Sequence, residues 1–171
     1  MSTATLVPVS EYLATSYRPD RDYLEGELQE RNLGEWPHSR AQGRLLAYLF
    51  QREAEWGIRA VPEQRVQITP TRFRIPDICV MILASAPITP ILTRPPFLCI
   101  EILSKDDTAT QLYERLSDYF RLGVRYAWVI DPLAKRGFIY TPGQMKEAPD
   151  GMLRTENPEL LVPLAEVLKN D

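Results

Sequence analysis

The chain has 171 residues, 44% of them hydrophobic and 25% charged, an ordinary balance for a soluble globular protein. That length suits a single domain over residues 1–171, because domains commonly run about 100–200 residues, and its core needs neither metal nor disulfide to hold together. A net charge of −3 and a pI of about 5.3 exclude a surface that attracts nucleic acid over its whole extent and leave that role to local basic strips.

One histidine and two cysteines, Cys79 and Cys99, both inside apolar runs, argue against a structural zinc cluster and fit small core residues in a reducing compartment. The opening segment MSTATLVPVSEYLATSY lacks the basic start and long apolar centre of a signal peptide. No apolar run approaches the roughly 20 residues of a membrane span. The expectation is a cytoplasmic protein with no membrane partner.

In chain order, residues 1–20 read as an extended or weakly helical lead-in. Tyr23 to Leu28 reads as a strand pair or edge turning at Gly26. Pro37 suits a helix start, and Ala41, Leu45, Leu49 and Trp56 continue one apolar stripe until Gly57. A strand over 59–68 and another over 73–83 follow, then a proline-rich surface loop over 84–96. Phe97 to Leu103 is an almost unbroken apolar run, as in a strand covered on both faces. Asp106 or Asp107 is a candidate cap for a helix whose stripe is Leu112, Leu116, Tyr119 and Leu122, ended by Gly123. Strands over 126–130 and 137–140 form a hairpin, and the tail supplies one more strand and a short helix over 163–169. The strand–helix–strand passage from Glu101 to Trp128 requires a crossover, hence an α/β (α+β) mixed sheet flanked by helices.

Two residues break this pattern. Glu101 sits in the middle of FLCIEIL, where desolvation penalises an uncompensated carboxylate. Asp77 sits in RIPDICVM, where Pro76 limits ladder pairing and bends the strand at the acid. Adjacent strands lie about 4.8 Å apart, so two such carboxylates can converge on one divalent cation. The alternative is a buried glutamate paired with an arginine and a Pro-Asp that only shapes a turn.

Asp77 after Pro76, then Glu101-Ile102-Leu103-Ser104, then the run from Tyr119 to Pro132 resembles the Uma-type restriction endonuclease family of the PD-(D/E)XK nuclease superfamily. Glu25-Gly26-Glu27-Leu28 and the helix start at His38 resemble its earlier segments. The likeness runs from about Tyr23 to Pro132, and more loosely beyond. It implies a restriction endonuclease-like core and Mg²⁺-dependent hydrolysis of DNA phosphodiesters, with Mn²⁺ as a possible substitute. On that resemblance Asp77, Glu101 and the main-chain carbonyl of Ile102 are the metal ligands. The superfamily lysine is replaced by Leu103; the family takes its lysine from the following helix, where Arg115 stands here, and Gln111 stands where an aspartate is common. Arginine stabilises phosphate charge but does not readily act as a base.

Accessory candidates are His38 and Gln42, which extend the first helix stripe toward its start, with a solvent-exposed helix-start histidine as the alternative, and Glu27 or Glu25 on the first strand pair, with a solvated face as the alternative for both acids. Lys105 is a spare candidate for the missing lysine, with a solvated loop charge as its alternative. Arg65, Arg72, Arg74 and Arg94 could form a basic rim. Three readings follow: a DNA endonuclease, which a symmetric homodimer would suit; a weakened nuclease fold that binds nucleic acid or a protein partner; and a purely structural set of neutralised acids.

Overall fold

The computed structural model describes residues 5–32, 34–85 and 89–170. The elements are α1 (Val9–Ala14), β1 (Arg21–Leu24), β2 (Glu27–Glu30), α2 (Trp36–Phe50), α3 (Glu53–Trp56), β3 (Ile58–Pro62), β4 (Val66–Thr69), β5 (Arg72–Arg74), β6 (Ile78–Ile82), β7 (Leu98–Ile102), α4 (Ala109–Leu122), β8 (Tyr126–Asp131), β9 (Arg136–Thr141), β10 (Gln144–Glu147), β11 (Met152–Arg154), β12 (Leu161–Pro163) and α5 (Leu164–Val167).

The central sheet has six strands in the order β10-β9-β8-β7-β6-β3. Only β7 and β8 run parallel, because α4 carries the chain back across the sheet between them. The sheet is mixed and flanked by helices, as the sequence implies. Leu45 and Leu49 of α2 and Leu164 of α5 pack on one face with Ile78, Ile100 and Trp128. Leu112, Leu116 and Tyr119 of α4 cover the other with Cys79, Cys99 and Val129. The run Leu98–Ile102 is therefore buried at every position.

Each of the two strands expected over 59–68 and 73–83 is two strands. β4 and β5 leave the central sheet and join β1 and β2 in a separate antiparallel sheet of order β2-β1-β5-β4. Glu63 at φ 48° breaks the first pair, and Ile75-Pro76-Asp77 breaks the second. Proline cannot donate to a ladder, so the chain changes sheets there and places Asp77 at the entrance of β6.

The long first helix is also divided. Arg52 leaves helical geometry at φ −114°, ψ 2° and α3 is a single turn closed by left-handed Gly57. The cap of α4 is Thr108 rather than either aspartate. Its side chain accepts from the Gln111 N–H while the Gln111 side chain reaches back, a reciprocal capping box. The lead-in contains α1, whose Tyr12 is fully buried against Tyr23 and Phe73. The hairpin after β8 continues into β10, which the sequence pattern did not reveal because all four of its residues are exposed.

Candidate active site

The β6–β7 register pairs Ile78 with Ile100 and Cys79 with Cys99. Continued by one residue, it sets Asp77 opposite Glu101 on the face covered by α4. The Glu63 N–H donates to the Asp77 carbonyl at 3.1 Å, so the Asp77 main chain faces β3. Its pairing with Glu101 is then the closely spaced kind, with Cα atoms about 4.5 Å apart. Both carboxylates line a polar cavity of about 50 Å³ together with Arg31, His38, Asp107, Gln111 and Arg115.

Asp77 is 3% exposed and surrounded by donors. The Ile102 N–H donates to Oδ2 at 2.7 Å, Arg31 donates to Oδ1 at 2.5 Å, and His38 Nε2 lies 3.3 Å from Oδ2. Burial alone would raise the Asp77 pKa, but the His38 hydrogen bond and the Arg31 charge outweigh it and hold the carboxyl below its ordinary value. The same contact acts on His38 in reverse: burial would lower its pKa, and Asp77 raises it.

Glu101 is 4% exposed and held at both oxygens. Tyr119 donates to Oε1, and Arg115 Nε forms an ion pair with Oε2 at 3.1 Å. Arg115 also donates to Asp107 Oδ1 at 3.0 Å. Burial, opposed by Arg115 and reinforced by Asp77, pushes Glu101 up to about 7. A raised carboxyl pKa means that the folded state holds the proton more tightly than the unfolded state. Stability is therefore lost as pH rises from the ordinary value of 4.5 through about 7. Metal-free wild type should lose stability relative to Glu101→Gln across that window. Parallel melting curves from about pH 5 to pH 8 would refute this origin.

The structure thus brings Asp77, Glu101, Ile102, Arg115 and His38 together. Gln42 joins them through its side chain, which donates to the Asp77 carbonyl at 3.0 Å. Glu27 is exposed at the start of β2, opposite Leu24, and does not line the cavity; Gln29, Glu30 and Arg31 beyond it do. Glu25 instead pairs with Arg72 at 2.7 Å. Lys105 is 57% exposed on its side chain and pairs with Glu35, outside the cavity.

The expected basic rim does not form. Arg74 is 1% exposed and donates to Asp22 at 2.9 Å and Asp118 at 2.7 Å. Arg72 donates to Asp118 and Glu114, both at 2.8 Å, and Arg65 to Asp20 at 3.0 Å. Arg94 alone of the four is exposed. Arg72 and Arg74 meet Asp118 because β5 faces α4, not solvent, whereas Arg65 turns to Asp20 of the lead-in.

Three site residues escaped sequence reasoning. Arg31 lies in a polar stretch that reads as a surface loop. Tyr119 falls on the apolar stripe of α4, where its hydroxyl carries no separate signal. Asp107 reads as a helix cap, yet one oxygen takes the Ser104 N–H at 2.8 Å and the other takes Arg115.

The oxygen donors suit a hard cation. Mg²⁺ binds through one or two carboxylates and retains water, and the cavity has room for an ion with a water or two. Among the described residues no group of three or more His, Cys, Asp or Glu is arranged to hold a metal, so carbonyl and water oxygens would have to complete the shell. Ile102 directs its N–H at Asp77, and the carbonyl of a strand residue points to the same side as its N–H.

The sequence model of the Uma2 family, described as "Putative restriction endonuclease", matches residues 9–167. The crystal structure of a "putative nuclease belonging to DUF820" from Anabaena variabilis superposes with a TM-score of 0.83 at 23% identity, over 95% of this chain and 97% of that one. Comparison with curated proteins finds no match. Among the described residues, no helix is long and apolar enough to cross a membrane.

Proposed function

Because the chain belongs to the Uma2 restriction endonuclease family, a family of nuclease type, we propose that it is a Mg²⁺-dependent DNA endonuclease of PD-(D/E)XK design. The observation that carries this reading is the pair of buried carboxylates, Asp77 and Glu101, side by side in one polar cavity. Asp77, Glu101 and the Ile102 carbonyl would hold the ion, with Mn²⁺ able to replace it. When bound, such an ion activates water and stabilises the charge of the leaving oxygen.

The chain's own residues set the stage. Tyr119 fixes one oxygen of Glu101 and directs the carboxylate into the cavity. The Ile102 N–H and His38 fix Asp77. Arg115 brings a permanent positive charge to the same wall, where it can stabilise charge on a phosphate.

The test is relaxation of supercoiled plasmid at low salt with millimolar Mg²⁺ or Mn²⁺. Wild type should nick, chelation should stop it, and Asp77→Asn should be silent. Equal nicking by wild type and Asp77→Asn would place the activity elsewhere. Silence of both would favour the second reading, a nuclease fold with a weakened site that binds nucleic acid or a protein partner. One observation favours that alternative: Arg31 and Arg115 already compensate both carboxylates.

A further inference from the structure

Arg31 lies just beyond β2, in the segment leading to α2, and its side chain is only 19% exposed. Its Nη2 is 2.5 Å from Asp77 Oδ1, and its Nη1 is 3.9 Å from Glu63 Oε1. Asp77, Glu101, Asp22 and Glu63 all act on it electrostatically. The guanidinium therefore sits where acidic side chains converge, which is also where a cation shared by Asp77 and Glu101 would be most strongly attracted.

Two cations compete for one place. A guanidinium against a divalent ion at a shared carboxylate costs heavily in a site of low dielectric. Asp77 has no spare oxygen to separate them, since Oδ2 already accepts from Ile102 and faces His38. Arg31 and Asn32 follow the end of β2 and lie in no helix or strand, and Glu63 offers a half-exposed carboxylate nearby. The side chain thus has an alternative anchor in the cleft beside the cavity, which Glu63 lines together with His38 and Gln42.

We propose that Arg31 is a resident counter-cation, holding the metal position of the resting site and leaving it when a divalent cation binds. This rests on the metal reading above and assigns Arg31 a regulatory part in it. The displaced guanidinium then stands in that adjoining cleft, where its planar fork suits a phosphate of the substrate backbone. The resting protein avoids two uncompensated buried acids, and the same arginine sets a threshold for metal.

Metal affinity without nucleic acid tests this directly. Titration calorimetry with MgCl₂ and MnCl₂ would compare wild type with Arg31→Gln, Arg31→Lys and Asp77→Asn. Arg31→Gln should bind about tenfold more tightly than wild type. Arg31→Lys should stay close to wild type, and Asp77→Asn should not bind. Binding by Arg31→Gln alone, with wild type silent, also supports the placeholder.

Equal or weaker binding by Arg31→Gln, with binding still lost in Asp77→Asn, overturns the inference and leaves the metal reading standing. No binding by either wild type or Arg31→Gln removes both. Should Arg31→Gln fail to fold, the Nε–H resonance of Arg31 in wild type decides. Identified by its absence from Arg31→Lys, it should move on saturation with Mg²⁺, and an unmoved resonance overturns the proposal.

Discussion

Arg74→Ala should cost the fold about 3–5 kcal/mol, because it leaves a buried carboxylate, Asp22, without its cation. Arg74 is 1% exposed and donates to Asp22 Oδ2 at 2.9 Å, Asp118 Oδ2 at 2.7 Å and Gln29 Oε1 at 3.1 Å. Asp118 would keep Arg72 and Arg121, and Asp22 would keep the Ile75 N–H at 3.0 Å. Asp22 thus loses the only side-chain cation that donates to it among the described residues. For a chain of this size the melting temperature should fall by roughly 6–20 °C. Urea unfolding measures the difference, and a loss below about 1 kcal/mol would mean that water or neighbouring groups relax to solvate the acids. The loss also reaches the site, since Arg74 ties the small sheet to α4 and α4 carries Arg115 and Tyr119.

Binary patterning could not disclose that tie. Arg72 and Arg74 alternate with buried Phe73, the pattern of a strand with one wet face. Here the polar face meets Asp118 and Glu114 of α4 instead of solvent. Those acids read as the solvated side of an amphipathic helix, so neither half announces its partner. A bend at Ile75-Pro76-Asp77 was legible, because a proline before a strand acid limits pairing, but the full separation into two strands was not. Which sheet each half joins is a long-range outcome that no local signal encodes.

The site divides in the same way. Asp77 and Glu101 stand out in sequence because a carboxylate in an apolar strand demands compensation. The compensating groups do not stand out. Arg31 looks like any polar residue after a strand, and Tyr119 looks like core, as it is, with only its hydroxyl doing more. His38 and Gln42 were legible through their shared stripe on α2, and both do reach Asp77. Glu27 was not distinguishable from Gln29 by alternation alone, since both lie on the same face of β2. Only the path of the strand past Asp22 decides that Gln29 meets the cavity and Glu27 does not.

Arg115→Ala should lower metal-dependent nicking by about 10²–10³-fold, the usual cost of removing one donor from charge that develops in the transition state. Arg115 lies on α4 one turn before Tyr119, with Nε 3.1 Å from Glu101 Oε2 and Nη2 bonded to Asp107 at 3.0 Å. In hydrolysis the phosphoryl and leaving oxygens carry the negative charge of the transition state, and a fixed cation beside Glu101 offsets it. A structural counter-ion would behave differently. Its loss would unsettle Glu101 and lower the melting temperature while leaving the metal-loaded rate little changed, because the ion itself then balances the acid. Arg115→Lys separates the two roles, since it keeps the charge but not the fork that spans Glu101 and Asp107. It should retain or raise the rate. Asp107→Asn, which frees the second arm of the fork and keeps the Arg115 charge, should cost less activity than Arg115→Ala. The comparison uses plasmid relaxation at low salt with Asp77→Asn as the blank, at a temperature where every variant is folded. Nicking by Arg115→Ala at the wild-type rate would reduce Arg115 to a counter-ion for Glu101.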